Sequence, residues 1–436
     1  MENIAKKTLE ELVTWDGIYA SSAKGLEGSY YAFFGRDSAE VTNSILQAAK
    51  IEGNLQNNEL LKRATKGLLK LTQWQGTHDD PQSGMQKGKF PHEVRTDSRF
   101  YTHLTTQRIK NGQKSWYVDP QDHFMKNWDS NDSTPFITSV LLRLHEEKML
   151  DIKDEIVMRL RNALEWCIRN INEHKGFAGF SKNDDRHWDG LTNHSWKDSN
   201  KSYLLYNGEM PVHPIHDVLV NAHMWEALKR GAGFFSSIDP GFTQTLNFEA
   251  QALKTRFNDL ENGFLIFDQD TSLYYFAEAK DGAGSRLTNI SADPAMALSC
   301  YFNNESIIDN KYIPDVVKRV LMPDMFDAQA GVRTYSSLKG PYDEDGGYHR
   351  GPNTFWPFVS GRVGEGLNNF QFTKEALSVL TAMTQGVSKF GSCIELFLKN
   401  DQDYIRFKEP TSGQLSCTDQ AWTAARLYYA AKYLHH

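Results

Sequence analysis

Along most of this chain apolar residues recur three and four positions apart, the spacing of a helix with one buried face. The stretches "AEVTNSILQAAKIEG" from Ala39 and "NNELLKRATKGLLKLTQWQG" from Asn57 carry it clearly. "STPFITSVLLRLHEEKML" opens with a cap-type Ser133 and a proline in the first turn, the usual start of a helix. From Asp154, "DEIVMRLRNALEWCIRNINEH" lines Ile156, Leu160, Ala163, Leu164, Cys167 and Ile171 along one face. Further helices are expected at "HDVLVNAHMWEALKRG", "DPAMALSCYFNN", "IPDVVKRVLM", "GRVGEGLNNFQF", "TKEALSVLTAMTQGVSKF" and "CTDQAWTAARLYYAAKYL". Strand pattern is sparse. Its best instance, "GFLIFDQDTSLYYFAEA", predicts a short hairpin turning around Asp268–Thr271.

Between the helices lie three long irregular stretches, Gly76 to Asn131, Phe177 to Pro214 and Ser336 to Pro357. Loops of that length inside a compact domain usually carry function. They hold Trp116, Trp128, Trp188, Trp196 and Trp356, five of the ten tryptophans. No Pro/Ser-rich linker divides the chain. The expectation is one all-α domain over residues 1–436, with paired helices and a face of long aromatic loops. About a dozen helices suit an (α/α)6 toroid, with the small β-hairpin on the loop face. Periodicity alone leaves a helical solenoid or two bundles open.

Composition narrows the function classes only a little. A formal charge of −7 opposes a nucleic-acid or anionic-membrane partner, which would need a basic face. Cys167, Cys300, Cys393 and Cys417 are far apart with no CxxC pair, so free thiols are expected rather than zinc or disulfides. Neither a signal peptide nor an apolar run of membrane-span length is visible, and the expected location is the cytoplasm. His213, His216 and His223 lack the spacing of a zinc motif. "YDEDGGYHRG" begins like a calcium loop but has no glutamate at its twelfth position. Phosphate-loop, dinucleotide and serine-hydrolase motifs are also missing. Neither a metal nor a cofactor is expected.

Four loop segments set charged side chains beside aromatic rings. They are "YYAFFGRDSAE" with Arg36 and Asp37, "GKFPHEVRTDSRF" with His92 and Glu93, "FMKNWDSNDSTPF" with Trp128 and Asp129, and "GGYHRGPNTFWPF" with His349, Arg350 and Trp356. Recognition of a neutral polyol needs this combination: charged groups bond pairs of hydroxyls, and rings stack on C–H faces. Any one of these residues could equally cap a helix or sit in a structural ion pair. In "GLTNHSWKDSNKS", Asp198 follows Trp196 and Lys197. Trp196 could shield the carboxyl and raise its pKa, as a proton donor requires, whereas an inward Lys197 would oppose that. Inverting glycoside hydrolysis needs a second, ionised carboxylate roughly 6.5–9.5 Å away. Glu409, on the turn-rich "RFKEPTSGQLSCTDQAW", is the partner candidate. Surface or capping roles remain open for both.

Taken in order, "FGRDS", "GKFPHEVR", "WDSNDSTPF", "WKDS", "GVRTYSS", "YHRGPNTFWP" and "EPTSGQLSCTDQAW" resemble the (α/α)6-toroid glycosidases. The similarity is to the glucosidase domain of glycogen debranching enzyme, and more distantly to glucoamylases, trehalases and glycosylglycerate hydrolases. It runs from near residue 35 to near residue 425. The resemblance implies inverting hydrolysis of an α-glycosidic bond without a cofactor, with Asp198 as general acid and Glu409 as general base. It also implies a sugar pocket formed by Arg36, Asp37, His349, Arg350 and Trp356; the loop segments themselves add His92, Glu93, Trp128, Asp129, Trp196 and Lys197 as further binding candidates. One departure is that "PIHDVLVNAH" stands where debranching relatives often carry Glu-Val-Gln. A separate transferase domain or large N-terminal β-domain is not expected.

The activity expected first is an exo-acting α-glucosidase on glycogen-type glucans. A small glycoside, either a disaccharide or a glucosyl- or mannosylglycerate, is the alternative within hydrolases. Two readings from other classes remain. One is a sugar epimerase using facing histidines from among His213, His216, His223 and His349. The other is an inactive glucan-binding protein.

Overall fold

A computed structural model describes every residue except 23–29, 97–102, 344–346, 411–412 and 436. Twelve helices dominate it: α1 Glu2–Leu12, α2 Gly35–Ile51, α3 Glu59–Leu71, α4 Ser133–Glu146, α5 Asp154–Glu173, α6 Val218–Phe235, α7 Pro240–Phe257, α8 Asp293–Met296, α9 Ile313–Val320, α10 Pro357–Asn369, α11 Thr373–Ser388 and α12 Ala421–His435. They form two layers. The even-numbered helices pack side by side in sequence order, and α12 packs back on α2, which closes a ring. Each odd-numbered helix lies outside, against the preceding even one, with α1 against α12.

The sequence explains which layer each helix joins. Outer helices have one buried stripe. In α3 the buried residues include Leu60, Leu61, Ala64, Leu68 and Leu71, and in α5 Leu160, Ala163, Leu164, Cys167 and Ile171. Inner helices are buried almost all round, α2 from Gly35 to Leu46 without a break. Charged groups on those helices therefore have to find partners inside the ring. Arg143 bonds Glu226 at 2.6 Å, Arg426 bonds Glu365 at 2.7 Å, and Arg362 reaches Glu40 at 3.3 Å. This buried lattice ties α2, α4, α6, α10 and α12 together.

The expected helix at "DPAMALSCYFNN" is a correction. Helix α8 stops at Met296 and passes into a 3₁₀ turn, Ala297–Ser299. Two arginines end it: Arg143 donates to the Ser299 carbonyl at 3.1 Å, and Arg362 donates to the Ser299 hydroxyl at 2.6 Å. With its carbonyl satisfied there, the chain needs no further helical turn.

Short strands stand just before the N-terminal ends of the inner helices α2, α6 and α10. Strands β1 (Phe33–Phe34), β2 (Glu93–Arg95) and β3 (Met125–Asn127) form an antiparallel sheet, with Phe34 opposite Glu93 and Glu93 opposite Asn127. The predicted hairpin forms as β4 (Leu265–Asp268) and β5 (Leu273–Phe276), with Ser272 at φ 55° in its turn. It packs on outer helix α9, where Asp315 accepts the Tyr274 N–H. A second sheet joins β6 (Thr354–Phe355), β7 (Phe397–Asn400) and β8 (Asp403–Arg406). Among the described residues no helix is long and apolar enough to cross a membrane.

Candidate active site

A small cavity opens where the ends of inner helices and the loops between them meet. Arg36 and Asp37 reach it from the first turn of α2, Trp356 from the residue before α10, and Gln420 and Trp422 from the start of α12. Trp196, Asp198, Tyr348 and His349 come from the long loops, Ala20, Tyr30 and Phe34 from the segment before α2, and Glu395 from the residues just before β7. The β4–β5 hairpin supplies none of the lining residues.

Three carboxyl groups share this space. Asp198 is 28 % exposed, and its Oδ2 accepts from Arg36 Nη2 at 3.2 Å. The same guanidinium holds Asp132 at 3.1 Å. Burial pushes the Asp198 pKa up, and the Asp132 charge adds to this, against the pull of Arg36. Asp37 is raised to about 7, again chiefly by burial. Glu395 is buried and accepts from the Tyr348 hydroxyl at 2.8 Å and the Cys417 N–H at 2.9 Å. Burial raises its pKa while those two donors favour the ionised form.

Aromatic rings form the wall. His349 stacks on Trp356 at 5.4 Å, and Trp196 meets Trp356 edge-on at 5.7 Å. Trp196 is fixed by its indole N–H, which donates to Asp293 at 2.7 Å. His349 has its Nδ1 2.9 Å from the Ser199 hydroxyl and its Nε2 4.0 Å from Asp198 Oδ1. Gln420 Oε1, Trp422 Nε1 and Arg36 Nε are buried without a hydrogen-bond partner. Orphaned polar atoms in a cavity wall are costly unless a ligand satisfies them.

The structure divides the residues expected from sequence. Arg36, Asp37, Trp196, Asp198, His349 and Trp356 come together in this cavity. Glu409 does not line it. That residue is partly exposed on a turn, where its backbone N–H donates to the Gln414 carbonyl at 2.8 Å, and the glutamate among the lining residues is Glu395. Lys197 does not line the cavity: its ammonium is fully buried, with Glu278 at 2.9 Å, Asp293 at 2.7 Å and Tyr335 at 2.9 Å. Arg350 joins the same knot through Glu278 at 2.7 Å. Asp129 is held by Arg186 at 2.7 Å beside a separate polar cavity, and Trp128 is buried against Tyr117. His92 and Glu93 are buried behind the wall, His92 edge-on to Phe34 and Glu93 paired with Arg95.

Tyr30, Tyr348, Glu395, Gln420 and Trp422 were not expected as site residues. Glu395 did leave a trace in the sequence. In "CIELFL" one carboxylate stands inside an apolar run, a pattern that demands a partner once buried. His223, Glu226 and Cys300 lie within 4.8 Å of one another in the core, but Arg143, Arg230 and Arg362 already crowd them. Three guanidiniums oppose a bound cation there.

No family model and no curated protein matches this chain. Solved structures do. A mannosylglycerate hydrolase of glycoside hydrolase family 63 from Thermus thermophilus, in complex with glucose, aligns over 100 % of both chains at 14 % identity and a TM-score of 0.60. A metal-independent α-mannosidase from Streptococcus pneumoniae, in complex with α-1,6-mannobiose, aligns over 99 % of this chain and 93 % of its own at 14 % identity and a TM-score of 0.59. A glycosidase variant in complex with glucose aligns over 100 % and 96 % at 10 % identity and a TM-score of 0.55. At these identities the likeness is one of fold, the closed ring of paired helices described above.

Proposed function

We propose that residues 1–436 form a single (α/α)6-toroid catalytic unit that hydrolyses an α-glycosidic bond with inversion, Asp198 acting as general acid and Glu395 as general base. One observation carries this reading: Asp198 and Glu395 line a single aromatic-walled cavity. Asp198, raised by burial, can keep the proton that a departing glycosidic oxygen needs. Glu395, held by a hydroxyl and an amide N–H, can stay ionised and take a proton from water. Asp37 and the unpartnered atoms of Gln420 and Trp422 suit the hydroxyls of the terminal sugar, and Trp356 suits its C–H face.

The reading takes exo action on a terminal residue, and a small glycoside suits the cavity's lining as well as the end of a glucan chain. An epimerase with two facing histidines is less well served. His349 is the one histidine among the lining residues, while His223 is buried beside Phe136.

The test is to follow release of the terminal sugar by NMR from glucosyl and mannosyl α-glycosides, with wild type, Asp198→Asn and Glu395→Gln. Release of the β-anomer by wild type, lost in both variants, supports the reading. Release of the α-anomer sinks the inverting mechanism.

A further inference from the structure

Beside the catalytic cavity the long loops enclose a second, polar cavity that the hydrolytic step does not use, and the two share no lining residue. Its floor is charged and buried. Lys89, Asp129 and Arg186 line it at 3 %, 2 % and 5 % exposure. A lysine buried this deeply is almost always paired with a carboxylate. Arg186 has such a partner in Asp129, at 2.7 Å. Lys89 has none among the described residues. Its ammonium donates to Asn131 Oδ1 at 3.1 Å and lies 5.4 Å over the Trp166 ring, so part of its donor capacity is unused. Asn131 also lines the cavity, which puts the charged end of Lys89 at the cavity wall. The backbone holds it there: the Lys89 carbonyl accepts the Gly76 N–H at 2.8 Å, and the next residue, Phe90, donates its N–H to the Thr134 hydroxyl at 2.9 Å.

The charges around Lys89 decide what satisfies it. Asp129 is neutralised by Arg186. His194 lines the cavity uncharged, because burial holds its imidazole at about 4 and the Lys89 charge opposes its protonation. Burial also lowers the Lys89 ammonium, to about 8, which leaves it protonated at neutral pH. The floor therefore carries one uncompensated positive charge, and leaving that charge buried and unpaired is costly. The rim has the opposite sign. Asp79 pairs with Arg169 at 3.4 Å, Asp80 accepts from the Ser83 hydroxyl at 2.7 Å, and Glu173 stands exposed at the end of α5. A ligand with one negative charge matches the floor, whereas a second negative charge would meet the rim. We propose that this cavity binds a small monocarboxylate, its carboxylate paired with Lys89. The assignment stands apart from the glycosidase reading, since no residue of the catalytic cavity takes part in it.

The experiment is calorimetric titration at neutral pH with lactate, gluconate, inorganic phosphate and glycerol, on wild type, Lys89→Met and Glu173→Gln. Wild type is expected to bind lactate or gluconate at least about tenfold more tightly than phosphate or glycerol. Lys89→Met should weaken that binding by about tenfold or more. Glu173→Gln alters an exposed side chain and leaves the fold intact; loss of its charge should tighten carboxylate binding by about threefold. Binding of neither carboxylate overturns the proposal, and so does a preference for phosphate or glycerol. A carboxylate bound equally by wild type and both variants sits elsewhere and overturns it too. If Lys89→Met does not fold, Glu173→Gln decides alone: tighter binding supports the site, and unchanged affinity removes it. The presence or absence of glycoside hydrolysis bears on none of these outcomes.

Discussion

Glu395→Gln is the substitution that most directly separates the two glutamates. The amide cannot take a proton from water, and a well-placed general base contributes about 10²–10⁴ in rate, or roughly 3–5 kcal/mol of transition-state stabilisation. The fold should tolerate the change, because both hydrogen bonds can be kept. The amide oxygen can accept the Cys417 N–H, and the Tyr348 hydroxyl can turn to accept from the new NH2. A neutral group in place of a buried carboxylate also removes a repulsion with Asp198. The stability change should stay within about 1 kcal/mol. Steady-state kinetics on the best glycoside from the NMR screen should show kcat reduced by about a hundredfold or more, with KM and melting temperature little altered. Glu409→Gln, on a partly exposed turn, should leave kcat within about twofold. Full activity in Glu395→Gln, or loss confined to Glu409→Gln, would refute the assignment of the base.

Three further outcomes follow from the buried charges. Asp132→Asn removes a charge that raises the Asp198 pKa and frees Arg36 to pair with Asp198 alone, so the alkaline limb of the pH–rate profile should move to lower pH; an upward shift contradicts the network. Asp37 binds its proton up to about pH 7 in the folded state but only near pH 4 when unfolded, so its contribution to stability falls as pH rises across that window, by on the order of 4 kcal/mol. Denaturation by urea should therefore show Asp37→Asn gaining stability relative to wild type from pH 4 to pH 7, while substrate binding is lost. Lys197→Met strands Glu278 and Asp293 in the core and should cost about 3–5 kcal/mol in a urea titration; a normal midpoint with a raised KM would restore Lys197 to the substrate.

Much of this protein was legible in its sequence because the pattern that marks it is local. A 3.6-residue period fixes which residues of α3 and α5 turn inward, whatever they pack against. The Arg36–Asp37 pair, the loop bearing Asp198 and the His349–Trp356 segment stood out for the same reason: charged and aromatic groups occurred together in stretches too irregular for a core. What the sequence left open concerns direction. Trp196, Lys197 and Asp198 are consecutive, yet one ring is held by Asp293, the ammonium is swallowed by Glu278 and Asp293, and the carboxylate faces the cavity. No period governs a loop, so each side chain turns toward whichever distant partner satisfies it.

The choice between Glu395 and Glu409 was of the same kind. Both precede α12 in segments with turn or strand character, and nothing within either segment says which carboxylate is buried. The pairing of β7 with β6 and β8, the Tyr348 hydroxyl and the Cys417 N–H decide it, and they come from up to 47 residues away in the chain. Helical periodicity is a property of neighbouring residues and is written in the sequence. The meeting of Asp198 and Glu395 in one cavity joins a loop and a strand edge nearly 200 residues apart, and it exists only in the folded ring, once α12 has packed back against α2.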